Sequence, residues 1–198
     1  MLATQRAATL ADVFARASIT RDVVLIAGAS VATGLLAQAE IHLPFTPVPL
    51  TLQPFAVFMI GAAFGSRRAA LAMLLYLAEG AAGMPFFAGG ASGPAHLLGP
   101  TGGYLFGFVP AAFVIGWFAE RGWDRTPPRA FLAMLAGSIV LFACGLTQLA
   151  AFVPRGRVLA SGLYPFVVGD VLKMAAASAL LPCTWMLLER LGLDSRRR

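Results

Sequence analysis

Phe131-Leu132-Ala133-Met134-Leu135-Ala136-Gly137-Ser138-Ile139-Val140-Leu141-Phe142-Ala143-Cys144-Gly145-Leu146-Thr147-Gln148-Leu149-Ala150-Ala151-Phe152-Val153 runs for 23 residues without one charged side chain. As a helix it would extend about 35 Å, enough to cross the ~30 Å hydrocarbon core of a bilayer. Working outward, five further apolar runs appear, so that the spans fall at about 23–39, 50–64, 69–83, 103–119, 131–153 and 164–188. The second and third are short, but apolar loop residues flank both, which suits helices continued by protein-packed loops. Of the 198 residues 59% are hydrophobic and 12% charged, against about 25% charged in an ordinary soluble domain. A soluble fold of this size has no place to hide that much apolar surface. The expectation is an all-α bundle of six transmembrane helices forming a single membrane domain over 1–198.

The formal charge of +6 does not point to nucleic acid, because no basic stripe with interleaved aromatics occurs. Its distribution is topological instead. Arg6, Arg16 and Arg21 precede the first run, and Arg67 and Arg68 join the second and third. Arg121, Arg125 and Arg129 join the fourth and fifth, and Arg190, Arg196, Arg197 and Arg198 follow the sixth, making twelve of the fifteen basic residues. The alternate connections hold only Arg155 and Arg157, so the positive-inside rule puts both termini in the cytoplasm. The first twenty residues lack an apolar core of signal-peptide type, leaving the first run as the insertion signal. Cys144 and Cys183 lie in apolar runs without metal-ligand spacing and read as small core residues.

The opposite face carries two unusual connections. Residues 42–49 are apolar and stiffened by Pro44, Pro47 and Pro49; residues 83–102 are glycine-rich and nearly uncharged. Both look built to pack as a cover. Small residues at helical spacing occur at Gly28/Ala32, Gly61/Gly65 and Gly99/Gly103/Gly107/Ala111. The last series reads as packing within the bundle, and Gly28 with Ala32 as either packing or a face for a partner helix.

Asp170 and Lys173 stand inside the last run at i, i+3 spacing, on one helix face. Each is penalised by roughly 2.5–3.5 kcal/mol at a helix centre, so both are expected to face the interior. They form either a structural ion pair or a site for a polar ligand. Glu79, near the end of the third run, reads as a rim carboxylate, a partner for Arg155 or Arg157, or a ligand contact. Gly90-Ala91-Ser92-Gly93 matches the G-x-S-G of intramembrane serine proteases. However, His42 and His96 both precede the fourth run, and no later helix offers a histidine to activate the serine. No phosphate-binding loop of the G-x-x-x-x-G-K-[ST] type is present, so the chain cannot hydrolyse ATP alone.

Three segments carry a resemblance. Leu43-Pro44-Phe45-Thr46-Pro47-Val48-Pro49-Leu50-Thr51-Leu52-Gln53 is one. The second is Gly83-Met84-Pro85-Phe86-Phe87-Ala88-Gly89-Gly90 with Gly99-Pro100-Thr101-Gly102-Gly103-Tyr104-Leu105. The third is Gly169-Asp170-Val171-Leu172-Lys173. In this order and spacing they resemble the BioY family, the biotin-specific S components of energy-coupling factor transporters, over about 22–190. The resemblance implies a multi-pass cell-membrane protein, not an enzyme, that binds biotin and needs no cofactor. Its implied partners are a membrane-embedded coupling protein and two ATPase subunits.

It carries ligand contact onto Asp170 and Lys173, and coupling-protein contact onto Gly28 and Ala32. Biotin offers a ureido ring, an apolar body and a carboxylate. Asp170 can accept from the ureido N–H groups; Lys173 can donate to the ureido carbonyl or neutralise the carboxylate. Phe45, Phe87 and Tyr104 can wall the apolar body, and Gln53 adds an amide. Gly89, Gly90, Thr101, Gly102 and Gly103 can bring backbone N–H groups to polar atoms. The chain contains no asparagine, so any asparagine that relatives use is replaced by backbone, a glutamine or nothing. Rival readings are an S component for another vitamin and a membrane enzyme using Asp170 and Lys173 for proton transfer.

Overall fold

The structure is a computed structural model describing residues 9–14 and 18–191. The described chain is mostly helical. A short α1 (Leu10–Phe14) precedes α2 (Ile19–Ala37). Next come two strands, β1 (Glu40–Ile41) and β2 (Leu50–Thr51), paired antiparallel with Glu40 opposite Thr51. They lead into α3 (Gln53–Phe64) and α4 (Ser66–Ala81). After the short α5 (Pro94–Leu97) come α6 (Gly102–Ala119), α7 (Pro127–Leu149), another short helix α8 (Val158–Gly162) and α9 (Tyr164–Arg190).

Four stretches are long and apolar enough to cross a membrane: Ile19–Ala37, Gly102–Ala119, Pro127–Leu149 and Arg155–Arg190. Several expected boundaries move, the first run already being helical from Ile19 to Ala37. The run expected from residue 50 begins as strand β2, and α3 has only 12 residues, about 18 Å. The run expected from residue 131 becomes helical at Pro127 and stops at Leu149. Two prolines at its start are tolerated because the first helical N–H groups need no intrahelical partner.

Helix α6 is the hub, packed against α3, α4 and α7, while α2 rests on α4, and α9 on α7 and α3. Within the spanning windows 61% of α6 is buried but only 22% of α2, so α2 keeps a broad outward face. The close α6–α7 approach depends on glycine. A Cβ on Gly103 would lie 2.5 Å from the Cys144 carbonyl, and one on Gly145 would lie 2.3 Å from the Tyr104 ring. Such contacts let backbones meet where lipid supplies no hydrophobic drive between helices. The outward faces are apolar, with Val23, Leu35, Ile139, Val168 and Leu172 exposed, as a bilayer solvent requires. Cys183 is also exposed, and not the core residue expected; Cys144 is half-buried.

At the arginine-rich end, charges pair. Arg68 contacts Asp12 at 2.8 Å and Asp22 at 3.1 Å, tying α1 and α2 to α4. Burial pushes the Asp12 carboxyl up, but hydrogen bonds from Thr9 and Arg68 outweigh it and leave it below its usual range. Asp124 is buried in the α6–α7 connection, where it accepts a 2.6 Å hydrogen bond from the Trp185 indole. Arg125 lies over the same indole at 3.2 Å, locking the connection to α9. Burial raises the Asp124 carboxyl above its ordinary value despite those partners. Arg6, Arg16, Arg196, Arg197 and Arg198, part of the orientation argument, lie outside the described residues.

Candidate functional site

A cavity with about 50 Å³ of internal space lies beneath the connections 42–49 and 82–101. Asp170 and Lys173 face it from α9, Gln53 from the start of α3, and Thr101 and Tyr104 from the start of α6. The structure therefore brings five of the sequence-nominated residues to one chamber. They converge because α3, α6 and α9 all begin at this end of the bundle.

Asp170 is 3% exposed and accepts a 2.8 Å hydrogen bond from the Lys173 ammonium. Among the described residues no other donor reaches this carboxylate. Lys173 keeps two further N–H groups and Asp170 most of its acceptor capacity. The pair thus satisfies itself and still presents both polarities to the chamber. Gln53 is buried in a chain of hydrogen bonds. The Thr51 hydroxyl donates to its carbonyl at 2.9 Å, and its amide donates to the Tyr76 hydroxyl at 2.6 Å. That hydroxyl donates onward to the Phe86 carbonyl at 3.1 Å. One amide N–H and one carbonyl lone pair of Gln53 remain for a ligand. Tyr104 contributes its ring only, because its hydroxyl donates to the Gly162 carbonyl at 2.8 Å.

The other nominated residues lie outside the lining. Phe45 is 63% exposed at the tip of its proline-stiffened connection, where Thr46 N–H turns back to Leu43. Phe87 is fully buried one layer behind the chamber, edge-on to Tyr76 and stacked on His96 with ring centroids 5.2 Å apart. Its neighbour Ala88 takes the lining position. Gly89 and Gly90 make a turn at positive φ (64° and 72°), and a Cβ on Gly89 would meet the Glu40 carboxylate at 2.6 Å. Gly102 and Gly103 are consumed by chain packing: a Cβ on Gly102 would lie 1.7 Å from the Leu97 carbonyl.

Glu79 meets neither the ligand chamber nor Arg155 or Arg157. It accepts a hydrogen bond from Ser30, joining α4 to α2. Gly28 and Ala32 are exposed on α2, and nothing lies within 4 Å of a Cβ built on Gly28.

Sequence reading missed His96, Phe142 and Phe166, all in the lining. His96 sits on α5, 3.3 Å from the Thr101 hydroxyl. Burial, partly opposed by Glu40, holds its imidazole below the ordinary value of 6.5, so it is neutral at pH 7. Phe142 and Phe166 complete an aromatic wall with Tyr104, at centroid distances of 6.1–6.4 Å. Phe166 was legible in principle, since it precedes Asp170 by one turn on the same face. Phe142 gave no comparable signal.

An apolar-walled chamber, polar at a few convergent points and set among membrane helices, defines a class: a multi-pass membrane protein built to hold a small molecule. The particular family follows from comparison. The sequence model of the BioY family matches residues 5–190, and the chain belongs to that family. The biotin transporter BioY of Rhizobium etli is 40% identical over 172 residues, covering 81% of this chain and 91% of that one. The probable biotin transporter BioY of Pyrococcus horikoshii is 41% identical over 139 residues, covering 70% and 82%. A crystal structure of the S-component for biotin from an ECF-type ABC transporter superposes with a TM-score of 0.77 at 25% identity. It covers 84% of this chain and 92% of its own. The family is one of multi-pass membrane transport proteins, not of enzymes.

Proposed function

We propose that this chain is the biotin-binding membrane subunit of an ATP-driven, energy-coupling factor importer, a single membrane unit with biotin as cargo and no cofactor. The observation that carries this reading is the Asp170–Lys173 pair, held at 2.8 Å inside a membrane helix and lining the chamber beneath the outer connections. A charge pair in such a position is costly, and its ordinary justification is a polar ligand. Asp170 accepts from the ureido N–H groups, and the spare donors of Lys173 serve the ureido carbonyl or the carboxylate. Gln53 adds an amide, and the rings of Tyr104, Phe142 and Phe166 enclose the apolar body. The names of the relatives support the same ligand.

In this reading α2, α3, α4, α6, α7 and α9 are six spans with both termini cytoplasmic, and the chamber opens to the outside. The short α3 is acceptable because Ala56, Val57, Phe58 and Ile60 bury it in protein, so lipid need not match its length. The exposed Gly28 and Ala32 face, flanked by the outward Val24, Val31 and Leu35, suits a helix of the coupling protein. The partners are thus biotin, lipid, the coupling protein and its ATPases, with no role for nucleic acid. Titration of the purified protein with biotin and a panel of other vitamins tests the reading. Saturable binding of biotin alone, without product, is expected; preference for another vitamin or chemical turnover refutes it.

A further inference from the structure

A second cavity, of about 400 Å³, runs along the lipid side of the α7–α9 seam. Leu135, Ile139 and Leu146 line it from α7, and Val167, Val171 and Met174 from α9. In a bilayer such a groove fills with hydrocarbon, since no water is at hand and almost no polar group lines it. Among the described residues only Phe142 and Asp170 line both this groove and the ligand chamber. The partition between chamber and hydrocarbon is therefore one side chain thick. Its two halves differ. Asp170 is tethered by Lys173 at 2.8 Å. Phe142 is held only by packing, against Tyr104 and Phe166 on the chamber side.

We propose that Phe142 is a specificity-determining residue, the partition that confines the chamber to an untailed ligand and keeps hydrocarbon chains out of it. This rests on the biotin reading above and extends it, because it says what the site rejects. With the ring in place, an alkyl chain attached to bound biotin has no path into the groove. With it removed, chamber and groove become continuous, and the chain can leave sideways into an apolar channel.

The test uses protein in lipid nanodiscs and three probes: biotin, biotin N-octylamide and 1′-N-octylbiotin. The two tails leave opposite ends of the molecule, so the result does not depend on which end faces Asp170. The reading is the ratio of each tailed probe's Kd to that of biotin. In Phe142→Ala one of the two ratios is expected to fall by about tenfold or more, what burial of two methylenes is worth. Phe166→Ala, the same truncation in a lining residue that does not face the groove, should leave both ratios within about threefold of wild type on that scale. Adding Ala143→Phe to Phe142→Ala, which fills the groove, should restore the wild-type ratio.

Unchanged ratios in a Phe142→Ala protein that still binds biotin overturn the inference, as does an equal fall in Phe166→Ala. If Phe142→Ala loses biotin binding, Phe142→Leu is measured in the same way. Loss there too makes the ring a structural element and also refutes the proposal. Failure of the wild-type protein to bind biotin would instead refute the function proposed above.

Discussion

Removing one member of the Asp170–Lys173 pair is the perturbation with the most informative outcome. Asp170 is 3% exposed and hydrogen-bonded at 2.8 Å, so Lys173→Met strands a buried carboxylate. Breaking a buried pair in this way costs roughly 3–5 kcal/mol of stability unless a proton or a ligand compensates. Asp170→Asn is milder, because it keeps shape and one acceptor oxygen while replacing the other by a donor. If the pair also meets biotin, each single change loses a charged hydrogen bond, roughly 1.5–3 kcal/mol or about ten- to hundredfold in affinity. The double change Asp170→Leu with Lys173→Met separates structure from function. It leaves no uncompensated charge, so thermal stability should return toward wild type while biotin binding stays lost. The assay is biotin titration of both singles and the double, beside their thermal melts. A stable double variant that binds biotin normally would show that the pair serves the fold alone and would refute the site.

Three further outcomes follow. In a background lacking Cys144 and Cys183, a cysteine at the exposed Arg67 should label only from the cytoplasm, and one at Ser92 only from outside; the reverse pattern overturns the orientation. Gly28→Leu with Ala32→Leu should abolish co-purification with the coupling protein while biotin affinity stays within about twofold, since that face is remote from the chamber; an intact complex removes the docking role. His96 binds a proton less readily in the folded protein than in the unfolded chain. Its contribution to stability is therefore lost as pH falls through about 6.5. Thermal melts at pH 7.5 and 5.5 should show an acid-induced loss that His96→Gln lacks; identical pH dependence in the two proteins contradicts the assignment.

The helices were legible because a hydrocarbon solvent imposes length and apolarity together, and the intramembrane charges Asp170 and Lys173 stood out against that background. The helix starts were less so. Apolarity does not distinguish β2 from the first turn of a helix, and Pro127 reads as a breaker although it sits at a helix start. Around the chamber, Asp170 and Lys173 were found because burial of such groups demands a partner, whereas Gln53 and Thr101 came only with the motifs that contain them. The aromatic and glycine positions were not separable by sequence. Phe45 and Phe87 both stand in apolar connections, yet one is exposed and the other supports the lining from behind. Gly102 and Gly103 make room for another segment of chain, which in sequence looks the same as making room for a ligand. His96 was weighed only as a base for Ser92, so its place beside Thr101 went unseen.

The hydrogen bonds that close the chamber join residues far apart in the chain: Thr46 donates to the Ser161 carbonyl at 2.6 Å, and Tyr104 to Gly162. This sets an order in time. While the protein is being synthesised, α2 to α7 can enter the membrane and pack, but the chamber lacks a wall until α8 and α9 arrive. The same late segment brings Asp170 and Lys173, whose entry into hydrocarbon is unfavourable by several kcal/mol if they meet lipid. Where the earlier helices have packed first, the pair meets a surface that includes Gln53 and the Tyr104 ring. The last helix therefore completes the chamber, and a nascent chain stopped before residue 164 should be membrane-embedded yet blind to biotin.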